Sequence, residues 1–428
     1  MKINVINVGC FKNLVDCEKL IYRLETGGIT VFFGEVEEFV DIVIVNTCGF
    51  IDDAEKESLS VLRKYAERKR QGRCGSLLVM GCLSQKKGNS LKNDIPEIDR
   101  IYGNFNWQEI LTDLGLIYAD DFHRHLTTPS HYSYLKISEG CNMPCSYCIK
   151  PIINGSLHSV DIKTLVEECK HLVTKGVREI NLVAQNLTSY GEDLYGSKRI
   201  PELLQRISDI PGVDWIRLHY AYPAGFPIGL LDVMNERENV CKYLDIAVQH
   251  CSTKMLRLMR RGMTYESLVG LIEKIREKVP GIYLRTTVMT GHPGEGRKEF
   301  EELKRFVIQQ RFERLGVFPY SHQQRSYSFD NYSDIVPDEE KRARALELMK
   351  IQRDLYNEMN HSLVGKKETV IVDAKSAEGF YYGRSQHSTP IADPKVVITS
   401  DRTIDIGGFY DVEYTEVIGK DIKGKICQ

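Results

Sequence analysis

The sequence predicts an α/β fold in three successive domains: a parallel α/β domain, an open half-barrel of βα units, and a small antiparallel β-barrel. Two alternations and one change of texture carry this reading. Short apolar runs such as Leu77-Leu78-Val79-Met80 alternate with helical segments from residue 1 to about 125, the pattern of parallel strands buried on both faces. The alternation restarts at Tyr134 and gives six further βα units, too few to close an eight-stranded barrel, so an open, partial (βα)6 barrel is expected. Beyond Val364, short β-branched runs are split by Gly and Pro, which reads as a small barrel of antiparallel strands. A chain of 428 residues is long for one domain and suits two or three.

The elements follow in order. Residues 13–26 form a helix with Leu14, Cys17, Leu20, Ile21 and Leu24 on one face. Residues 52–70 are charged and helical, an outer face turned to solvent. In the second domain strands are expected at 134–137, 179–184, 215–219, 242–247, 283–289 and 314–318. A helix over 161–175 is capped by Ser159 or Asp161 and stopped by Gly176, with Cys169 on its apolar stripe. Pro337 introduces a charged helix through about Asn360, and 368–372, 395–398 and 410–414 supply strands of the last domain. The expected domains span 1–125, 132–362 and 363–428.

The most informative run is Gly140-Cys141-Asn142-Met143-Pro144-Cys145-Ser146-Tyr147-Cys148. Three thiolates at Cys-x3-Cys-x2-Cys spacing can bind three irons of a 4Fe-4S cluster and leave the fourth without a protein ligand. An open position is what separates a catalytic metal from a structural one. Zinc would want a fourth ligand close by, and none follows Cys148. The bland alternative is three unrelated core cysteines, but a Gly-led loop is an odd place for buried thiols.

Nine more cysteines need explaining. Cys10, Cys48 and Cys82 each stand just past the C-terminal end of an apolar run, and in an open α/β sheet those ends line one crevice. They are either a second set of cluster ligands or buried structural thiols. Cys17 and Cys169 belong to helical core stripes, and Cys74, Cys241, Cys251 and Cys427 have no ligand-like spacing. Twelve cysteines behind the strand-like start Met1-Lys2-Ile3-Asn4-Val5 suggest metal or redox use in a cytoplasmic protein. A net charge of -2 gives no global attraction to nucleic acid or membrane. Polar clusters stand at the strand ends of the half-barrel, where barrel chemistry sits: Gln185-Asn186, His219-Tyr220, Gln249-His250, Thr290-Gly291-His292-Pro293 and Tyr320-Ser321.

The cysteine run, with Tyr147 before its last cysteine, resembles the radical S-adenosylmethionine enzymes. The order of three domains over the whole chain resembles the methylthiotransferase family, whose last domain is called TRAM. That resemblance implies two 4Fe-4S clusters: Cys141, Cys145 and Cys148 match the radical-cluster ligands, and Cys10, Cys48 and Cys82 the auxiliary ones. It also implies S-adenosyl-L-methionine as cofactor, with Tyr147, Gln185, Asn186, Gly291 and Glu295 as its expected contacts. The implied chemistry is a deoxyadenosyl radical that removes hydrogen from an unactivated carbon. Sulfur is then delivered from the auxiliary cluster, and a second cofactor molecule supplies the methyl group.

Two branches of the family differ in substrate. Val8-Gly9-Cys10-Phe11-Lys12-Asn13-Leu14-Val15-Asp16, Cys48-Gly49-Phe50-Ile51-Asp52-Asp53-Ala54, His219-Tyr220-Ala221-Tyr222-Pro223 and Phe318-Pro319-Tyr320-Ser321-His322 resemble the RimO-type branch. That branch modifies the β-carbon of an aspartate in the twelfth small-subunit ribosomal protein; the alternative is the MiaB-type branch, which modifies a tRNA adenosine. From Val364 on, nine Lys/Arg face ten Asp/Glu, a poor footprint for tRNA and a better one for a basic ribosomal protein. The expected partners are therefore that protein or the small ribosomal subunit, an electron donor and a sulfur donor, with no membrane. Asn154-Gly155, Ser159-Val160, the final Gly296 of the Gly291–Gly296 loop, and Asn186 depart from the family pattern. A radical enzyme that only inserts sulfur and an iron–sulfur electron carrier remain as other readings.

Overall fold

The computed structural model describes residues 1–104, 106–117 and 121–427; Gln428, the end of the third expected domain, lies outside them. The first sheet contains β1 (Lys2–Asn7), β2 (Thr30–Phe33), β3 (Val40–Thr47), β4 (Cys74–Gly81) and β5 (Arg100–Ile101), all parallel, in the order β2-β1-β3-β4-β5. Its strands are apolar on both sides because helices cover both faces. The first helix, α1 (Phe11–Thr26), starts two residues earlier than the stripe indicates.

Charged positions on α1 are buried as well, because each finds a partner, Lys12 and Asp16 in the second domain and Glu18 on Arg124 just before it. Lys12 pairs with Glu139 at 2.9 Å, Asp16 with Lys136, and Glu18 with Arg124 at 2.5 Å. Helix α2 (Asp52–Arg70) is not solvated throughout: Ser58, Leu62, Tyr65 and Ala66 are buried, and its first turn is bonded to neighbouring segments. Asp52 accepts from Ser321 Oγ at 2.7 Å and Gln323 Nε2 at 2.6 Å, and Glu55 holds Lys86 and Lys87.

The second sheet contains β6 (Tyr132–Lys136), β9 (Glu179–Val183), β10 (Trp215–Ala221), β11 (Val240–Ile246), β12 (Tyr283–Thr290) and β13 (Arg314–Pro319). All pair in parallel in the order β13-β12-β11-β10-β9-β6, the open six-stranded half-barrel expected from six βα units. The largest core lies between this sheet and its outer helices. Asp161 caps the helix Ile162–Thr174 by accepting from Thr164 N at 3.0 Å, while Ser159 lies in the short strand β8 (His158–Ser159), paired with β7 (Ser138–Glu139). The cysteine loop is the excursion between these two short strands.

After the helix Asp338–His361, β14 (Lys367–Lys375), β15 (Tyr381–Ser385), β16 (Val396–Thr399), β17 (Phe409–Ile418) and β18 (Asp421–Ile426) close a barrel in the order β14-β15-β16-β18-β17. Four joints are antiparallel and one, β16 to β18, is parallel. An odd ring of strands cannot be antiparallel at every joint, so one parallel joint is obligatory. The barrel packs on residues at the starts of the half-barrel strands: Trp215 meets Phe409 edge-on at 4.8 Å, and Tyr283 stacks on His387 at 3.9 Å. It therefore caps the end opposite the strand C-termini. Among the described residues no helix is long and apolar enough to cross a membrane.

Candidate metal centre

In the first sheet the strand order reverses at β1 and β3, and ligands of open α/β sheets bind at the strand C-termini of such a switch point. Cys10 follows β1 at the N-cap of α1, Cys48 follows β3, and Cys82 opens the short helix α3 (Cys82–Lys87) directly after β4. Gly81 makes that last turn possible: its φ is 102°, and a Cβ there would stand 2.3 Å from Asn46 Oδ1. All three are free thiols. Burial pushes the Cys82 thiol up to about 12, and Cys10 and Cys48 add to the rise, so the three share one electrostatic neighbourhood.

The compact triad sits on the loop between β7 and β8. Gly140 leads it with φ 70°, and a Cβ there would stand 1.8 Å from the Ser156 carbonyl oxygen. Only glycine lets the loop close so tightly before Cys141. Cys141, Cys145 and Cys148 are free and half-buried, and they line a cleft of about 610 Å³ together with Met143, Ile152, Arg260, Arg325 and Tyr327. Burial raises the Cys141 thiol and pushes Cys148 up to about 12, against the pull of Lys150. Among the described residues no three His, Cys, Asp or Glu side chains close on a single metal ion. Three free thiols around an open cleft are a donor set suited to an iron–sulfur cluster, which thiolates hold.

The loop is fixed from behind. Ser328 N donates to the Ser146 carbonyl at 2.6 Å, and Ser328 Oγ bonds Ser146 Oγ at 2.9 Å. His292 Nδ1 donates to the Pro293 carbonyl, so Nε2 is left to accept from Ser328 Oγ at 2.9 Å. Burial lowers the His292 pKa to about 4 and keeps it neutral in this role.

The short helix Lys150–Asn154 stands between the two triads. The Lys150 ammonium lies 4.4 Å from the Phe50 ring centre; burial raises the thiols of Cys48 on one side and Cys148 on the other, and Lys150 opposes both rises. Asn154 Oδ1 accepts from Asn104 at 3.2 Å and lies 3.9 Å from Cys82 Sγ, while its amide reaches Glu139 at 3.3 Å. Burial acts to raise the Glu139 carboxyl, but Lys12 and Lys136 pull it down to about 2. These pairs tie the helix after Cys10 to the strand before Cys141.

The five expected cofactor contacts occupy varied settings, and none lines the cleft itself. Tyr147 is half-buried, and its hydroxyl accepts from Arg261 Nη1 at 3.3 Å. Gln185 donates to Glu139. Asn186 is spent locally, accepting from Thr188 N at 3.1 Å and donating to Ser189 Oγ at 2.8 Å. Gly291 has φ 76°, where a Cβ would strike the Lys341 side chain. Glu295 is buried against Arg344 at 2.6 Å, with His250 Nε2 3.5 Å away.

Of the polar clusters expected at the strand ends, His219 is instead inside β10, buried, with Nε2 3.1 Å from Asn181 Oδ1. The strand runs two residues longer than its apolar pattern, so His219 faces the half-barrel interior. Arg261 escapes the sequence pattern altogether. It is buried, donates to Cys145 Sγ at 3.3 Å and to Tyr147, and lies 4.0 Å over the Tyr222 ring.

Comparison with known proteins gives three domain matches: the radical SAM superfamily over residues 135–307, the uncharacterized protein family UPF0004 over 2–103, and the TRAM domain over 364–427. The chain is 48% identical over 427 residues to a ribosomal protein uS12 methylthiotransferase RimO from Parabacteroides distasonis, covering 99% of each chain. It is 49% identical over 429 residues to that of Porphyromonas gingivalis, again covering 99% of each. The corresponding protein of Cytophaga hutchinsonii is 42% identical over 430 residues, covering 100% of this chain and 98% of that one. Among solved structures, the radical S-adenosylmethionine methyltransferase TsrM from Kitasatospora setae matches with a TM-score of 0.55 at 14% identity, covering 74% of each chain. The cobalamin-dependent radical enzyme OxsB matches with a TM-score of 0.53 at 12% identity, covering 83% of this chain and 56% of that one. At such identities the structural matches speak for the fold alone.

Proposed function

The chain belongs to the ribosomal protein uS12 methylthiotransferases, and from that membership we propose that it adds a methylthio group to the β-carbon of an aspartate in uS12. Full-length identity joined to two cysteine triads flanking one short helix carries the proposal. The membership brings with it a 4Fe-4S cluster and S-adenosylmethionine at the second domain. A cluster at Cys141, Cys145 and Cys148 supplies, with its cofactor, the one-electron chemistry needed to take hydrogen from a carbon that no side-chain base could deprotonate. We further propose a second 4Fe-4S cluster on Cys10, Cys48 and Cys82, in support of which the three thiols stand at one switch point.

The chain's own residues position these groups. Gly140 lets the loop close, and Ser146, Ser328 and His292 lock it from behind. Arg261 donates to Cys145 and orients Tyr147 beside it. Lys12, Lys136, Asp16 and Glu139 hold the two triads in register across the domain boundary. The cofactor contacts are assigned to Tyr147, Gln185, Asn186, Gly291 and Glu295, in domains bounded at 1–125, 132–362 and 363–428.

The substrate is taken to be uS12 and not tRNA, since the last domain carries nine Lys/Arg against ten Asp/Glu. An electron donor and a sulfur donor complete the partners, in the cytoplasm. Mass spectrometry of ribosomal proteins and tRNA from a deletion strain tests the proposal. Loss of a methylthio group from the uS12 aspartate is expected; unmodified tRNA with intact uS12 would reverse the substrate assignment.

A further inference from the structure

Arg260 and Arg325 both line the cleft floored by Cys141, Cys145 and Cys148, and both are exposed. Among the described residues neither guanidinium has an ion pair or a hydrogen bond; Arg260 has only the Tyr327 ring, 4.5 Å away. Arg261, next in sequence, is already spent on Cys145 and Tyr147. Two cations are thus left without anions at the mouth of a reactive cleft.

The backbone at both positions is held where L residues rarely go. Arg260 has φ 55° and Arg325 φ 68°. Such conformations persist when surrounding structure enforces them, and they cluster at ligand clamps. Here Ser326 N donates to the Gln323 carbonyl at 3.2 Å, and Ser328 is tied to Ser146 of the cysteine loop. The segment that carries Arg325 is therefore anchored to the loop that carries the thiols.

We infer that Arg260 and Arg325 form a carboxylate clamp that receives the side chain of the substrate aspartate at the cleft mouth. The inference rests on the uS12 proposal above. A reaction at the β-carbon brings the aspartate carboxylate within one bond of the reacting atom, and a charge so placed needs a counter-charge. A guanidinium fork matches a carboxylate with two parallel hydrogen bonds. S-adenosylmethionine carries a carboxylate as well, but exposed rim residues suit a group that arrives from outside on a macromolecule. Asp330, on the same rim, suits the cationic residues that a basic ribosomal protein places around its aspartate.

The test uses the full-length reconstituted enzyme and two forms of uS12, with Asp or Asn at the modified position. Arg325→Gly and Arg260→Gly keep the positive φ without strain while removing the cation. Wild type is expected to bind the Asp form about tenfold or more tighter than the Asn form. Each Gly variant is expected to lose most of that preference, Arg325→Lys to restore part of it, and affinity for S-adenosylmethionine to stay unchanged. A preference that survives in both Gly variants overturns the clamp. A fall in S-adenosylmethionine affinity with the Asp preference intact assigns the arginines to the cofactor's carboxylate and overturns it too. Wild type that binds both forms equally overturns the clamp alone, whereas wild type that binds neither overturns the uS12 proposal and the clamp with it.

Discussion

Glu179, the first residue of β9, holds Arg384 of the C-terminal barrel with both carboxylate oxygens, at 2.7 and 3.1 Å. Arg217 donates to the same carboxylate at 2.9 Å, and Arg384 also reaches Asp373 at 2.6 Å. Glu179, Arg217 and Arg384 are buried, and Asp373 is half-buried. The network fastens the barrel to the end of the half-barrel that lies away from the cysteines.

Glu179→Gln is expected to cost about 3–5 kcal/mol, because it strands two buried guanidinium groups. Burial acts to raise the Glu179 carboxyl, but Arg384 and Arg217 hold it below its ordinary range. A depressed carboxyl contributes stability that is present above its unfolded pKa and is lost as pH falls through the folded value. Denaturant unfolding of wild type should therefore weaken below about pH 4, with a smaller change in the variant. Equal stability of the two proteins at pH 7 would show that the network does not fasten the barrel.

Asp245 points the other way. Burial raises its carboxyl to about 7, with Arg285 opposing. A raised carboxyl imposes a penalty that begins above its unfolded pKa and is complete above the folded one. Asp245→Asn is expected to stabilise the protein by up to about 4 kcal/mol at pH 8 and to change little at pH 4. Thermal unfolding at the two pH values checks the difference, and an equal effect at both would remove the titration from the explanation.

Both cysteine triads and the six strands of the half-barrel were legible in the sequence because spacing and apolar runs are local signals. That Cys10, Cys48 and Cys82 follow strand ends was legible from the apolar runs, but their reading as cluster ligands rather than structural thiols came from the family resemblance. The ion pairs between elements were not legible. Arg261 meets Cys145 from 116 residues away, and Arg384 meets Glu179 from 205. The burial of Lys12, Asp16 and Glu18 could not be read either, because nothing local distinguishes a paired buried charge from a hydrated one. The parallel joint between β16 and β18 was missed because strand texture does not count the strands in a ring.

Gly140→Ala is expected to disturb the compact triad selectively. A methyl group 1.8 Å from the Ser156 carbonyl forces the loop to shift, and the thiols move with it. The expected outcome is loss of about half the bound iron, with a stability change of about 1–3 kcal/mol. Iron content equal to wild type would show that the loop tolerates the displacement.

The most direct measurement compares three reconstituted proteins given uS12, S-adenosylmethionine, reductant and sulfide: wild type, Cys10→Ala/Cys48→Ala/Cys82→Ala, and Cys141→Ala/Cys145→Ala/Cys148→Ala. Deoxyadenosine and the mass of uS12 are read together. Wild type should yield both deoxyadenosine and a methylthio gain on the aspartate. The first triple variant should form deoxyadenosine without the methylthio gain, and the second should give neither. A methylthio gain from the first triple variant would contradict the division of labour between the two triads, and deoxyadenosine from wild type with no methylthio gain on uS12 would contradict the choice of substrate.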